Sequence, residues 1–275
     1  MIRTINIAAN AAGDAVLAPF RAAGPWPMMI WASLVTAAFA LVVIRLTGDR
    51  EALRRARGRQ TARALEILLF KDDMAVSFGA LGRLFAAVLA YQKQFLRPLL
   101  VMLVPVVLFM IQLAGWFDAR PLRPGETAVV KAVFGVGAPT RTVAATLSVS
   151  DNLAGDTLPL RIPVASEIAW RCSARSAGPG WVELDTGAVK IRKDVIVTEK
   201  PARVSKRRVM PGFWAELANP GESPLPPDTP VIAVEMGYPP SRLMLGTRRV
   251  HWLLAFFVLT MVFGALLKRP FGAEF

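Results

Sequence analysis

Side chains able to do chemistry are few in this 275-residue chain, and their spacing serves no familiar reaction. Glu183 and Asp185, two apart in GWVELDTG, share one face of a strand, and paired carboxylates can act as general acid and base. The same spacing is ordinary on a solvated strand. His251, the single histidine, stands beside Trp252 at the edge of an apolar run, where aromatics anchor helices at a membrane interface. One cysteine and one histidine cannot make a Cys/His zinc site, and no HExxH, Walker loop or GxSxG occurs. SAGPGWVELDTG has turn glycines without the lysine or helix of a phosphate loop. The sequence therefore predicts no enzyme, no catalytic residue, no metal and no cofactor.

The elements that would position any site are legible in the hydropathy. Hydrophobic residues make up 54% of the chain, and the charged 19% falls in blocks rather than spreading as over a globular surface. Three apolar runs, 24–44, 98–117 and 250–267, each approach the ~20 residues that a helix needs to cross about 30 Å of hydrocarbon. They predict three transmembrane helices. A buried soluble helix is the alternative for each, and a cleaved signal peptide for the first. The long lead of 1–23 and the arginines that follow the first run favour an anchor.

Charge asymmetry orients the spans. From 45 to 97 there are eleven Lys or Arg against five Asp or Glu, whereas 1–23 has two Arg and one Asp. Positive loops stay cytoplasmic. The expectation is a multi-pass protein of the inner, cytoplasmic membrane. Segments 1–23 and 118–249 then lie outside, with 45–97 and the tail 268–275 inside.

Segment 45–97 predicts a basic helical hairpin, with Asp49 as an N-cap and a break near Lys71-Asp72-Asp73. Leu81, Leu84, Phe85, Val88, Tyr91 and Phe95 trace an apolar stripe along its second helix. Arg54, Arg55, Arg57, Arg59 and Arg63 are the candidate partner-binding residues. Their expected partner is the anionic headgroup of membrane lipids, with ribosomal RNA or an acidic protein as the alternative and no role for DNA.

Between 118 and 249 the grammar changes to short Val-, Ile-, Thr- and aromatic-rich runs punctuated by Gly, Pro, Asn and Asp. TAVVKAVFGV, LRIPVASEIAWRCSA, GWVELDTGAVKIRKDVIV and VIAVEMGY are examples. This predicts an all-β immunoglobulin-like β-sandwich with a proline-rich excursion at NPGESPLPPDTP. The fold class is thus membrane α plus all-β. Trp170 and Cys172 alternate into the sandwich core, and a lone cysteine excludes an intramolecular disulfide. The basic run ARVSKRRV reads as a solvated strand edge or a lipid-facing patch.

The spans carry no carboxylate, and their polar inventory is Ser33, Thr36, Gln112 and Thr260, which argues against proton- or ion-driven transport. Pro105 removes a backbone donor inside the second span. A span ending on Arg45, a charged cytoplasmic hairpin, and a second span opening FLRPLLVMLVPVVLF with Pro98 and Pro105 resemble the YidC-type insertase superfamily, above all its short three-span archaeal and endoplasmic-reticulum members. The resemblance covers 24–117. It implies a hairpin that receives nascent membrane proteins and a groove that eases their insertion, here built from Ser33, Thr36, Pro105 and Gln112. Two departures stand against it: the bacterial groove arginine is missing from the spans, and the β insertion has no counterpart in the short members. The chain also resembles bacterial membrane proteins with segments such as LFKDD, LRPLL and RPLRPGE, from which no activity follows. Two functions follow from the sequence: an insertase-like or membrane-chaperone factor, or a bitopic scaffold that joins an envelope partner, such as another membrane subunit, to a cytoplasmic one.

Overall fold

The computed structural model describes residues 2–47, 55, 58, 61–62, 65, 74–135, 140–187 and 189–270. Helix α1 (Ile2–Leu17) runs into a short 3-10 turn, Ala18–Ala23, which ends on Gly24. Gly24 has φ +98, a backbone region in which a side chain is strained, and Pro25 then opens α2 (Pro25–Thr47) at a position where its missing N–H is no loss. Helix α3 (Met74–Phe117) follows, then the six-residue α4 (Phe213–Ala218) and finally α5 (Trp252–Leu267). Two stretches, α2 and the Pro98–Phe117 part of α3, are long and apolar enough to cross a membrane, and α5 is a shorter apolar helix.

Helix α3 runs unbroken for 44 residues through Pro98 and Pro105, so the second hairpin arm and the apolar stretch Pro98–Phe117 are one continuous helix. Leu, Ala, Gln, Lys, Phe and Met on both sides are good or tolerated helix formers, and two missing N–H donors do not outweigh them. At 1.5 Å per residue α3 is about 66 Å long. The first hairpin arm lies largely outside the described residues; Arg55, Gly58, Thr61, Ala62 and Leu65 within it are helical.

The chain divides into two units. The first comprises Met1–Trp31 and Leu108–Ala255, and the second Ala32–Val107 and Phe256–Phe275. The second is helical throughout its described residues apart from a terminal turn; Leu81, Phe85, Leu100 and Val104 on it are more than half exposed, whereas Ala32, Ala37, Leu41 and Phe256 are buried.

The first unit carries the β structure, eleven strands among the described residues, in chain order: β1 (Thr127–Phe134), β2 (Thr146–Val149), β3 (Leu153–Gly155), β4 (Leu160–Ile162), β5 (Glu167–Ala174), β6 (Gly178–Asp185), β7 (Lys190–Val197), β8 (Arg207–Val209), β9 (Val231–Met236), β10 (Leu243–Leu245) and β11 (Arg248–Val250). A six-stranded antiparallel sheet has the order β3-β5-β1-β9-β8, with β4 also pairing β5; a second sheet is β2-β6-β7, and β10-β11 form a hairpin. Alternation decides the inner faces. Ala128, Val130, Ala132 and Phe134 point inward from β1, and Val182 and Leu184 from β6. Both sheets contribute to one core, in which Trp170 and Cys172 are buried as their two-residue spacing predicts. Glu183 and Asp185 lie on the outer face, where Asp185 accepts a hydrogen bond from the Gly187 N–H at 2.8 Å and sits 3.8 Å from Lys190.

Candidate functional site

Gln112 falls in the β-bearing unit, whereas Ser33, Thr36 and Pro105 fall in the helical one. Thr36 donates its hydroxyl to the carbonyl of Ala32 at 2.8 Å, the usual i−4 bond of a helical threonine. Ser33 and Gln112 are buried, and neither the Ser33 hydroxyl nor the Gln112 Oε1 has a partner among the described residues. Gln112 packs on Gly13 of α1 so closely that a Cβ there would lie 3.1 Å from the Gln112 Cβ. Of the hairpin candidates, Arg54, Arg57, Arg59 and Arg63 lie outside the described residues, and Arg55 is helical and exposed.

The ARVSKRRV run ends in β8 at the edge of the six-stranded sheet, where Lys206 and Arg207 are partly exposed and also paired. Arg203 donates to Asn10 Oδ1 at 2.7 Å, Lys206 pairs with Asp118, Arg207 with Glu235 at 2.8 Å, and Arg208 donates to the Ser223 carbonyl at 2.9 Å. These cations tie the connection after β7 and the edge strand β8 to their neighbours. Sequence counting sees charge density, not partners.

Tethers of this kind also fix the helix ends within the β-bearing unit. The Trp26 indole N–H donates to the Met244 carbonyl at 2.7 Å, and the Trp252 indole to Asp118 at 3.4 Å. The Val204 N–H donates to the Gly115 carbonyl at 3.0 Å. Gly115 allows the Arg203 side chain to cross it, since a Cβ would lie 3.1 Å from Arg203 Nε. His251 caps α5: its Nδ1 accepts from the Leu253 N–H at 3.3 Å, and its ring stacks on Trp252.

Next to these ends opens a cavity of about 770 Å³, within the size range of ligand sites. Its apolar wall includes Met28, Trp116 and Met244. Among the described residues five cations line it, Arg120, Arg123, Lys200, Arg242 and Arg249, against the single carboxylate of Glu199. They come from the chain leaving α3, the turn before β1, the chain after β7, the approach to β10, and β11. The β10-β11 turn rests on Gly246, at φ +60, and its register sets Met244 opposite Arg249, so one face of the hairpin is both apolar and cationic.

The cations are not equivalent. Arg120 grips Glu126 through two bonds of 2.8 and 2.7 Å, a fork that holds the Glu126 carboxyl below its usual range with the help of the Arg123 backbone N–H. Lys200, Arg242 and Arg249 are exposed and have no ion-pair partner among the described residues. Such a site can bind an anion by charge and direct hydrogen bonds. Sequence reasoning missed it because the cations are scattered over 130 positions and meet only through the fold.

Cys172, Tyr238 and Lys193 of the β-bearing unit are buried. Burial pushes the Cys172 thiol up to about 11, and it also raises the Tyr238 phenol, whose oxygen accepts from the Ile196 N–H at 3.3 Å. Lys193, fully buried, pairs with Glu222 and donates to the Ser205 carbonyl at 2.9 Å. Burial pulls its ammonium below the ordinary lysine range, with Glu222 opposing. Its signal was present in KIRKDVIV, where alternation puts Lys193 on the same face as Ile191, Val195 and Val197. Among the described residues no three of His, Cys, Asp and Glu gather as metal ligands. Comparison with protein-family profiles, with curated proteins and with solved structures gave no match.

Proposed function

We propose that the chain is a three-span, non-enzymatic membrane scaffold whose β-bearing unit, an immunoglobulin-like sandwich in outline, recognises an anionic envelope partner through the cation-lined cavity. The single observation that carries this reading is that cavity, with five cations against one carboxylate beside the helix ends. Supporting the three spans, the N-terminal turns of α2 and α5 and the C-terminal turns of α3 all belong to the β-bearing unit. A chain that leaves, returns and leaves again has that polarity. The α5 helix, 16 residues or about 24 Å, suits a thin or locally thinned bilayer.

Charge asymmetry puts the hairpin in the cytoplasm and the β-bearing unit outside the inner membrane. A periplasm-active reporter fused after Pro124 is then active, and one fused after Lys71 silent. The reverse pattern overturns the orientation.

The insertase-like reading competes, and one observation favours it. Leu81, Phe85 and Leu89, spaced four apart along α3, present an exposed apolar face that could receive a nascent helix. The burial of Ser33, Thr36 and Gln112 gives no support to a wetted groove. Photocrosslinkers at positions 105 and 112 separate the two: an insertase yields nascent-chain adducts during membrane-protein synthesis, and a scaffold yields none.

A further inference from the structure

We infer that the cavity is a binding site for the phosphodiester headgroup of an anionic membrane phospholipid. The inference rests on the proposed spans, because they bring the cavity to headgroup depth. Three features fit that ligand together. Lys200, Arg242 and Arg249 offer one ammonium and two guanidiniums that no carboxylate occupies among the described residues, and a guanidinium fork matches two phosphate oxygens. Met28, Trp116 and Met244 line the same space, so the ligand meets an apolar surface beside the charges, as a glycerol backbone with acyl chains requires and a free inorganic anion does not. Finally, Trp26 and Trp252 donate their indole N–H groups at the ends of α2 and α5, and Trp116 stands one residue before the end of α3. Tryptophan concentrates at the level of lipid headgroups.

The polar parts have separate roles. Arg120 is committed to Glu126 and shapes the wall rather than binding the phosphate. Arg242 and Arg249, on either side of the β10-β11 hairpin, grip the phosphate oxygens, with Met244 opposite Arg249 along the acyl side. Lys200 adds charge from the far strand connection. Glu199 opposes anion binding, and its removal strengthens the site.

The test uses the full chain in neutral detergent, with fluorescent short-chain phosphatidylglycerol as probe and phosphatidylcholine, glycerol 3-phosphate and inorganic phosphate as competitors. Phosphatidylglycerol is expected to bind at least about tenfold more tightly than phosphatidylcholine, a preference of the size that a few interfacial charges give. Lys200→Gln, Arg242→Gln and Arg249→Gln together abolish it, and Glu199→Gln increases it. The buried Cys172 thiol, slow to alkylate when the sheets are packed, reports whether each variant is folded; if the triple variant is not, the single Arg242→Gln and Arg249→Gln variants must each weaken binding severalfold.

A folded triple variant that keeps the preference overturns the site. Competition by glycerol 3-phosphate or inorganic phosphate at equal strength overturns the lipid in favour of a soluble phosphate. The binding assay does not depend on orientation, so reversed reporters with phosphatidylglycerol preference intact would remove the proposed topology and leave the site standing.

Discussion

The two units use the same apolar residues in opposite ways. In the β-bearing unit Val130, Val182, Val195 and Val197 are at most 1% exposed, whereas in the helical unit Leu100 is 57% and Val104 62% exposed. A water-soluble surface does not carry so dense an apolar face. The contrast teaches where apolar surface is taken out of solvent by the chain itself: within the sheets of the first unit, and hardly at all around Leu100 and Val104 of the second. Truncation breaks the comparison most directly. Trp170→Ala empties a large buried volume and is expected to cost about 3–5 kcal/mol in thermal or denaturant unfolding of the detergent-solubilised protein. Leu100→Ala is expected to cost less than about 1 kcal/mol, since its side chain leaves one apolar surrounding for another. Equal losses would mean that α3 packs as a soluble core helix.

Charge sharpens the same contrast. Lys193 sits where a valine would be unremarkable, and its ammonium survives there because Glu222, from the proline-rich excursion, and the Ser205 carbonyl meet it. Removing one partner leaves a buried charge uncompensated. Glu222→Gln should therefore destabilise by about 3 kcal/mol, while Lys193→Met combined with Glu222→Gln should recover most of that loss, read as the unfolding midpoint of the single and double variants. A double variant no better than Glu222→Gln alone would mean that the excursion is held by its other bonds. By contrast Lys200, Arg242 and Arg249 should be replaceable without loss of stability, which is the mark of side chains retained for binding.

Much of this was legible beforehand. The apolar runs 24–44 and 98–117 match helices α2 and Pro98–Phe117 closely, and the strand runs TAVVKAVFGV, GWVELDTGAVKIRKDVIV and VIAVEMGY became β1, β6 with β7, and β9, because period and composition are local signals. Trp170 and Cys172 went to the core for the same reason. What escaped depends on distant partners. The continuity of α3 across Pro98 was hidden by a charge boundary that polarity patterns mark and backbone hydrogen bonds ignore. The cavity required five chain segments to converge, and the ARVSKRRV cations reveal their role only beside Asn10, Asp118, Glu235 and Ser223.

Helix α1 tests the comparison from a third side, because its faces are inverted. Asn6, Asn10 and Asp14, spaced four apart, turn toward the β-bearing unit: Asn6 donates to the Glu216 carbonyl and Asn10 to the Pro220 carbonyl, each at 2.9 Å, and Asn10 accepts from Arg203. Ile5 and Ile7 point away and are exposed. A helix on a water-soluble protein would bury the isoleucines and expose the asparagines. Asn10→Ala removes two hydrogen bonds, one of them to a guanidinium, and is expected to cost about 1–2 kcal/mol of thermal stability and to speed proteolysis within 2–17. Ile7→Ala is expected to cost less than about 0.5 kcal/mol in detergent, since it forfeits only contact with the surrounding apolar phase. If Ile7→Ala proved the more damaging of the two, α1 would be docked by its apolar face.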